Sequence, residues 1–569
     1  MAIFIRYTSL CILIIGLFSV ARIPTAQNLL AQSKSKEKDN NNPEIGLSPL
    51  STNKVGVTLC RNCHSRGRVE SDPKLNQLLS TFVKQDECNI WEKNDLHSYS
   101  YECLSNDLGR RMNQNLGWKI DVKNAPACLV CHAVDLAPSH GLKMDLSVND
   151  RFYSDFGNSC EGCHGLAKEW MIPHSIPTWR GKSPLEKEKL GLIDLRNPTT
   201  RTQKCASCHI GNSSMGRVVT HEMYAAGHPP LIPFELNAFA ENEPNHWNLN
   251  RDNQFLLQLG EGKIGFNFLN ESGKGKAPDS TQQMKIAKDN YYVISGESKT
   301  IKDWAIGSLS SLNHWTKLIN EEAKISDTNH QLMDFAHFDC YSCHHDLKVP
   351  SERQQRGYNG IPGRPLLKSS YILPVRIILS VLDKNNKANS ENKLLTEFNE
   401  KIRSLNLSAG TGAFGNPKKM IQATETINEF LEKRIKDVEA ISFNKDLCEK
   451  FLLEVNETIG KIAQKEAGEL AYLDYESAQL LSWAALNLVA ECQHFQSNKI
   501  PPGLVEGLKK LQPDLANPAK GIVLTHLRDP QLDGFKSIQE RLKDRLKTLG
   551  NYSGTNFRKA FDLSAPPKK

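Results

Sequence analysis

Ten cysteines and five histidines fall into five copies of one pattern, two cysteines three apart with a histidine directly after the second. The copies are CRNCH (Cys60, Cys63, His64), CLVCH (Cys128, Cys131, His132), CEGCH (Cys160, Cys163, His164), CASCH (Cys205, Cys208, His209) and CYSCH (Cys340, Cys343, His344). At this chain's cysteine and histidine frequencies, chance supplies roughly 0.01 copies of the pattern. Two thiols at that spacing reach the two vinyl groups of one haem and form thioether bonds. The imidazole that follows turns to the iron as an axial ligand. A zinc site uses paired cysteine units and needs no histidine at a fixed place, and a thiol–disulfide redox pair occurs once, beside a strand–helix unit. The repetition selects covalent attachment of five haems c, each with its iron.

The remaining histidines follow the motifs. Of seventeen, fifteen lie between residues 51 and 350, and only His494 and His526 lie beyond. That distribution is expected if the extra histidines act as second axial ligands; bis-histidine ligation keeps potentials low, whereas methionine raises them. Met171 and Met215 sit near motifs but carry no pattern and read as packing residues. Apart from Cys11 in the N-terminal apolar stretch, four cysteines remain: Cys88, Cys103, Cys448 and Cys492. An even remainder in an oxidising compartment suggests disulfides, and proximity favours Cys88–Cys103 and Cys448–Cys492, with buried free thiols as the alternative.

The elements that must position these groups divide the 569 residues unevenly. Arg6 precedes an apolar run from Leu10 to Val20 followed by Ala21 and Ala26, the form of a secretory signal over residues 1–26. Membrane contact is then expected only through that signal if it is not cleaved, since no later segment is long and apolar enough to span. Haem c attachment takes place outside the cytoplasm, so both clues point to a periplasmic or equivalent compartment. A polar stretch gives a linker over 27–54. Residues 55–235 hold four motifs among Gly, Pro, Asn and short helical runs, as where haems fill the core. Residues 236–370 hold an insert, a helix from about Asp303 to Glu322 and the fifth motif. The segment 210–250, with Pro229, Pro230 and Pro233, reads as an irregular loop, and that around 270–280 as exposed. Over 371–569, apolar residues recur at helical spacing through Phe398–Leu405, Met420–Val438, Phe451–Ile462, Ala478–Cys492 and Phe535–Leu549. The fold class is mainly α: a haem-packed domain with little sheet, and a C-terminal helical bundle. A net charge of +7 with both signs interspersed is a solvated surface, which argues against nucleic acid as a partner.

The first four motifs and their surroundings resemble the tetrahaem cytochrome c-554 family, whose members accept electrons from hydroxylamine oxidoreductase in ammonia oxidisers. The matching pieces are CRNCH followed by IWEKNDLHS, then CLVCHAVD, GNSCEGCHG and CASCH, over roughly residues 55 to 230. The resemblance implies that His97 ligates the fourth haem and His174 the first. It also implies that one of His221 and His228, in THEMYAAGHPPL, ligates the third, and that the second haem has no protein ligand on its distal side. His140 lies close enough in sequence to fill or line that open position. The fifth haem has no template in the family. His345, directly after His344, resembles the CHH arrangement of small tetrahaem cytochromes, where the second histidine ligates a neighbouring haem. His246, His314, His330 and His337 are candidates for the fifth haem's own distal side.

Two functions follow. The first is electron transfer between a redox protein donor and acceptor, in which a respiratory complex is a possible partner. The second is an oxidoreductase acting on a small nitrogen or sulfur compound at an open haem. The C-x-x-C-K motif of pentahaem nitrite reductases is absent from the chain. A docking role for the C-terminal helices is compatible with either.

Overall fold

The computed structural model describes residues 55–65, 86–134, 157–175, 179, 182–244, 246, 297–344, 347, 349, 364–368, 370–385, 393–411, 414–463, 475–511 and 560. The expected signal and linker, the segment at 270–280, His140, His345, His526 and the set Phe535–Leu549 lie outside the described residues. Within them the chain is mainly α, and the only β-pairing is two isolated bridges, Asn212 with Arg217 and Phe338 with Leu367. Among the described residues no helix is long and apolar enough to cross a membrane.

The first half is made of short helices: α1 (Val57–His64), α2 (Glu87–Asn94), α3 (Asp107–Leu116), α4 (Pro126–His132), α5 (Cys160–His164), α6 (Pro198–His209), α7 (His221–Ala226) and α8 (Leu236–Ala240). Helices of this length are marginal alone, and caps define them. Asn106 accepts from Gly109 N at the start of α3, Asn197 accepts from Thr200 N at α6, and prolines open α4 and α6. Their apolar clusters are small; one joins Leu104, Leu116, Val122, Leu129, Ala133 and Ala226.

The second half begins with α9 (Lys299–Asn329), 31 residues long and capped by Ser298. It starts earlier and ends later than the apolar spacing indicated, because the Ser298 hydroxyl stops it at one end and His330, at φ 52°, at the other. After it come α10 (Ile372–Asn385), α11 (Lys393–Ala409), α12 (Pro417–Glu439), α13 (Lys445–Ala463), α14 (Tyr475–His494) and α15 (Pro502–Leu511). Residues 301–323 share one apolar core with 372–508, including Trp304, Phe398, Ile427, Phe443, Phe451 and Leu488. α9 and α12 run antiparallel, since Thr316 bonds Asn428, Asn320 bonds Thr424 at 2.9 Å, and Lys317 pairs with Glu432 at 2.8 Å.

The other side of α9 holds the motif region. Arg201 on α6 pairs with Asp303 at 2.6 Å, His314 bonds the Gly211 carbonyl at 2.8 Å, and Ser214 N bonds Glu321 at 3.0 Å. At Gly307 a Cβ would stand 2.8 Å from the Leu236 side chain, so glycine lets α8 lie directly on α9. One helix is thus the common wall of both halves.

The segment 210–250 is more regular than its prolines suggest. Thr220 caps α7, and the buried Glu235 carboxylate accepts from Asn237 N and Ala238 N to start α8. The expected disulfides are not formed: Cys88, Cys103, Cys448 and Cys492 are all free. Cys88 packs with Val57 and Trp91, whereas Cys103 lies 3.3 Å from the His132 ring. Packing on opposite sides of the short helices separates this sequence-near pair. Cys448 and Cys492 are buried in the bundle core.

Candidate functional site

Four of the five motifs close a helix. Cysteines at i and i+3 and a histidine at i+4 share one helical face, so α1, α4, α5 and α6 each present two sulfurs and an imidazole together. The fifth motif makes a single turn, with His344 N bonded to the Cys340 carbonyl at 2.7 Å, which gives the same presentation.

Each motif histidine faces a second histidine. Ring centres are 6.2 Å apart for His64 and His174, 6.5 Å for His132 and His228, and 6.3 Å for His164 and His246. They are 6.1 Å apart for His97 and His209 and 6.2 Å for His221 and His344. A metal–imidazole bond is about 2 Å and the ring centre lies roughly 1 Å past the nitrogen, so two imidazoles on one iron have centres about 6 Å apart. All five gaps fit an iron between the rings. The interplanar angles fall in two classes: 14° and 26° at the first and fifth motifs, and 78°, 78° and 80° at the second, third and fourth.

The outer ring nitrogens explain the orientation. Nδ1 of His64 lies 2.9 Å from Glu87, that of His97 3.0 Å from Asp95, and that of His132 2.6 Å from the Ser100 carbonyl. His228 uses the Pro229 carbonyl at 2.8 Å, His246 that of Pro244 at 3.2 Å, and His174 that of Met171. An Nδ1–H that donates to oxygen leaves the Nε2 lone pair for a metal. Burial keeps several rings neutral: it lowers His209 to about 3 and His164 and His228 to about 4, and it lowers His132 as well. Burial also works against charge on His97, but the bond and charge of Asp95 prevail and raise it to about 9. Among the described residues no three His, Cys, Asp or Glu side chains converge as a bare ion requires. Paired imidazoles flanking a gap suit a planar prosthetic group.

Two buried charged residues tie the motifs in pairs. The carboxylate of Glu161, inside CEGCH, accepts from Val55 N at 3.1 Å, Gly56 N at 2.9 Å and Ala167 N at 2.9 Å, so the third motif grips the chain entering the first. Arg217 donates through Nε to the Val130 carbonyl and through a terminal nitrogen to Ser207, both at 2.8 Å, and so joins the second and fourth motifs. The sulfurs follow: Cys60 lies within hydrogen-bond reach of Cys160, and Cys131 of Cys208. Gly157, at φ 62°, and Asn158 close the arrangement. A Cβ on Gly157 would meet the His97 carbonyl at 2.6 Å, and Asn158 bonds that carbonyl at 3.0 Å and that of Cys131 at 2.5 Å.

The structure places His97 opposite His209 and His174 opposite His64. Neither His221 nor His228 faces His164. Both lie on α7 or just past it, and α7 runs between the second and fifth motifs, so His221 meets His344 and His228 meets His132. The side of His132 expected to be open therefore has an imidazole over it. His246 takes the place at His164, and its only sequence signal is a lone histidine after Pro244. Of the other candidates for the fifth site, His314 bonds Gly211, His330 ends α9, and His337 lies 3.4 Å from Glu322. His494 ends α14 at the surface.

Residues 59–165 match the family described as cytochrome c554 and c-prime. No curated protein and no solved structure matches the chain. The matched residues take in the first three Cys-x-x-Cys-His motifs, and the match supports a c-type cytochrome with covalently held haem and iron.

Proposed function

We propose that the chain binds five haems c, each between two imidazoles, and conducts electrons between two redox proteins outside the cytoplasm. The observation that carries this reading is the set of five facing imidazole pairs, all separated by 6.1–6.5 Å and each containing one motif histidine. Ten cysteines anchor the groups: Cys60 and Cys63 with His64 and His174, Cys128 and Cys131 with His132 and His228, and Cys160 and Cys163 with His164 and His246. Cys205 and Cys208 serve with His209 and His97, and Cys340 and Cys343 with His344 and His221. Haem iron supplies one-electron chemistry when bound. The protein fixes spacing and ligation.

Neighbouring sulfurs and side chains support a spatial order that differs from the order in sequence. The first and third motifs adjoin through Cys60 and Cys160, and the second and fourth through Cys131 and Cys208. Cys163 and Cys205, of the third and fourth motifs, are electrostatic neighbours. The ring centre of Tyr224 on α7 lies 6.0 Å from that of His228, and Tyr224 is a charge neighbour of Cys340, which supports a fifth site next to the second. The order first, third, fourth, second, fifth makes a path with two ends. His228 opposite His132 counts against small-molecule reduction at the second haem.

Intact mass of the mature protein, with each motif's cysteines replaced by alanine in turn, tests the count. The reading expects five haems in the parent and four in every variant. Fewer than five in the parent overturns it.

A further inference from the structure

The two residues that clamp the motif pairs have opposite charge, and both are buried: Glu161 is 2% exposed and Arg217 5%. Glu161 accepts three backbone N–H groups, a donor set that suits a carboxylate. Arg217 brings a guanidinium, the side chain suited to a buried positive charge. In the interior a fixed charge acts on neighbouring groups far more strongly than at the surface. An iron that gains an electron gains negative charge, so a nearby cation favours the reduced state and a nearby anion the oxidised one. Glu161 is close enough to Cys60, and Arg217 to Cys131 and Cys208, for their charges to be felt at those sulfurs.

We infer that this buried pair sets the direction of electron flow: Glu161 makes the first haem the easiest to oxidise and Arg217 makes the second the easiest to reduce. The inference rests on the five-haem reading above. Other charges sharpen the two extremes. At the first motif the outer nitrogen of His64 bonds the Glu87 carboxylate, a second anion on the same iron's ligand. At the second motif both outer nitrogens meet neutral carbonyls, of Ser100 and Pro229; the charges felt at its sulfurs are the buried Arg217 at Cys131 and, at Cys128, the exposed and therefore screened carboxylate of Asp121. The fourth motif is intermediate, because Asp95 on His97 opposes Arg217 there. Burial works against charge on Glu243, which lies near Cys163 and Cys205 of the third and fourth motifs and away from the two extremes. At the fifth site Lys368 lies beside Cys340 together with the carboxylates of Glu476 and Asp339, so charges of both signs act there.

An electron delivered by a donor protein at the first site then moves downhill through the third and fourth to the second. From there it leaves to an acceptor protein, directly or through the fifth. One electron passes per step and no atom is transferred.

Potentiometric titration of the holoprotein tests this, with components assigned from forms lacking the cysteines of the first or second motif. The wild type is expected to reduce the second haem before the first. Glu161→Gln should move the first haem's component to higher potential. Arg217→Met should move the second's to lower potential, whereas Arg217→Lys leaves it close to the parent. A wild type in which the first haem is reduced before the second overturns the inference, as do components that stay in place in Glu161→Gln and Arg217→Met. Where Arg217→Met does not assemble, the wild-type order and the Glu161→Gln shift decide. A parent with fewer than five haems defeats the earlier reading instead, which keeps the two failures apart.

Discussion

The two halves of the molecule solve the packing problem differently. In the bundle, α9 to α15 bury Trp304, Phe398, Phe443, Phe451 and their neighbours in one continuous core. The Trp304 and Phe451 rings meet edge to face at 5.5 Å, and those of Phe443 and Phe451 stack at 6.0 Å. In the motif region the described apolar clusters hold only a few residues each, and polar clamps such as Glu161 and Arg217 join the pieces. A region that lacks a side-chain core must be organised by something else, and in the proposed function five porphyrins between paired imidazoles supply the missing apolar surface. The bundle then acts as a rigid backing, through α9, for a region whose core is its cofactor.

Withholding haem breaks this comparison most severely. Chain made without cytochrome c maturation is expected to be cleaved throughout 55–246 in limited proteolysis while 297–511 persists. Equal resistance of both regions would show that the motif half folds on side chains alone. Phe451→Ala should do the reverse. It should cost about 3–5 kcal/mol in the unfolding of the bundle, the usual range for a fully buried aromatic, and leave the haem spectrum unchanged. A spectral change would mean that the halves are less separable than their cores suggest.

Glu235, at the seam where α8 meets α9, gives a smaller and pH-dependent effect. Burial raises its carboxyl from 4.5 to about 7, against the two backbone bonds that favour the charge. A folded-state value above the unfolded one means that stability is full below about pH 4.5 and falls as pH rises towards 7. Glu235→Gln should therefore stabilise the protein by at most about 3 kcal/mol at pH 8 and by little at pH 4. Thermal unfolding at both values reads the difference, and a gain confined to low pH would contradict the sign. The smallest effect belongs to Asp95→Asn. Loss of the anion behind His97 should raise the fourth haem's potential by on the order of tens of millivolts with its spin state unchanged. A fall in that potential would contradict the role given to Asp95.

Helices α9 and α11 to α14 and the five motifs were legible because each rests on a short-range rule, helical spacing of apolar residues or one repeated pattern, whereas α10 and α15 were not among the expected sets. Which histidine faces which motif is a long-range matter. His97 and His174 were reachable through the resemblance, since Trp91 and the third motif mark their places. His221 and His228 each face a motif histidine, but not the one the resemblance implied, because the path of α7 between the second and fifth motifs depends on Thr220 starting the helix and Pro229 ending the segment. His246 carries no local pattern. The capping roles of Glu161 and Arg217 were invisible, since one is a variable position of a motif and the other a lone arginine in a loop. Cys88 and Cys103 misled because sequence proximity says nothing about which side of a short helix a thiol occupies, whereas Cys448 and Cys492 do lie near one another in the bundle core but as free thiols.

Low-temperature electron paramagnetic resonance of the fully oxidised protein tests the ligation most directly, because it reports each iron's axial ligands. The account predicts five low-spin centres. Two, the first and fifth, should give rhombic signals from nearly parallel imidazoles, and three the strongly anisotropic signals of nearly perpendicular ones. A high-spin signal amounting to one iron per chain would contradict it.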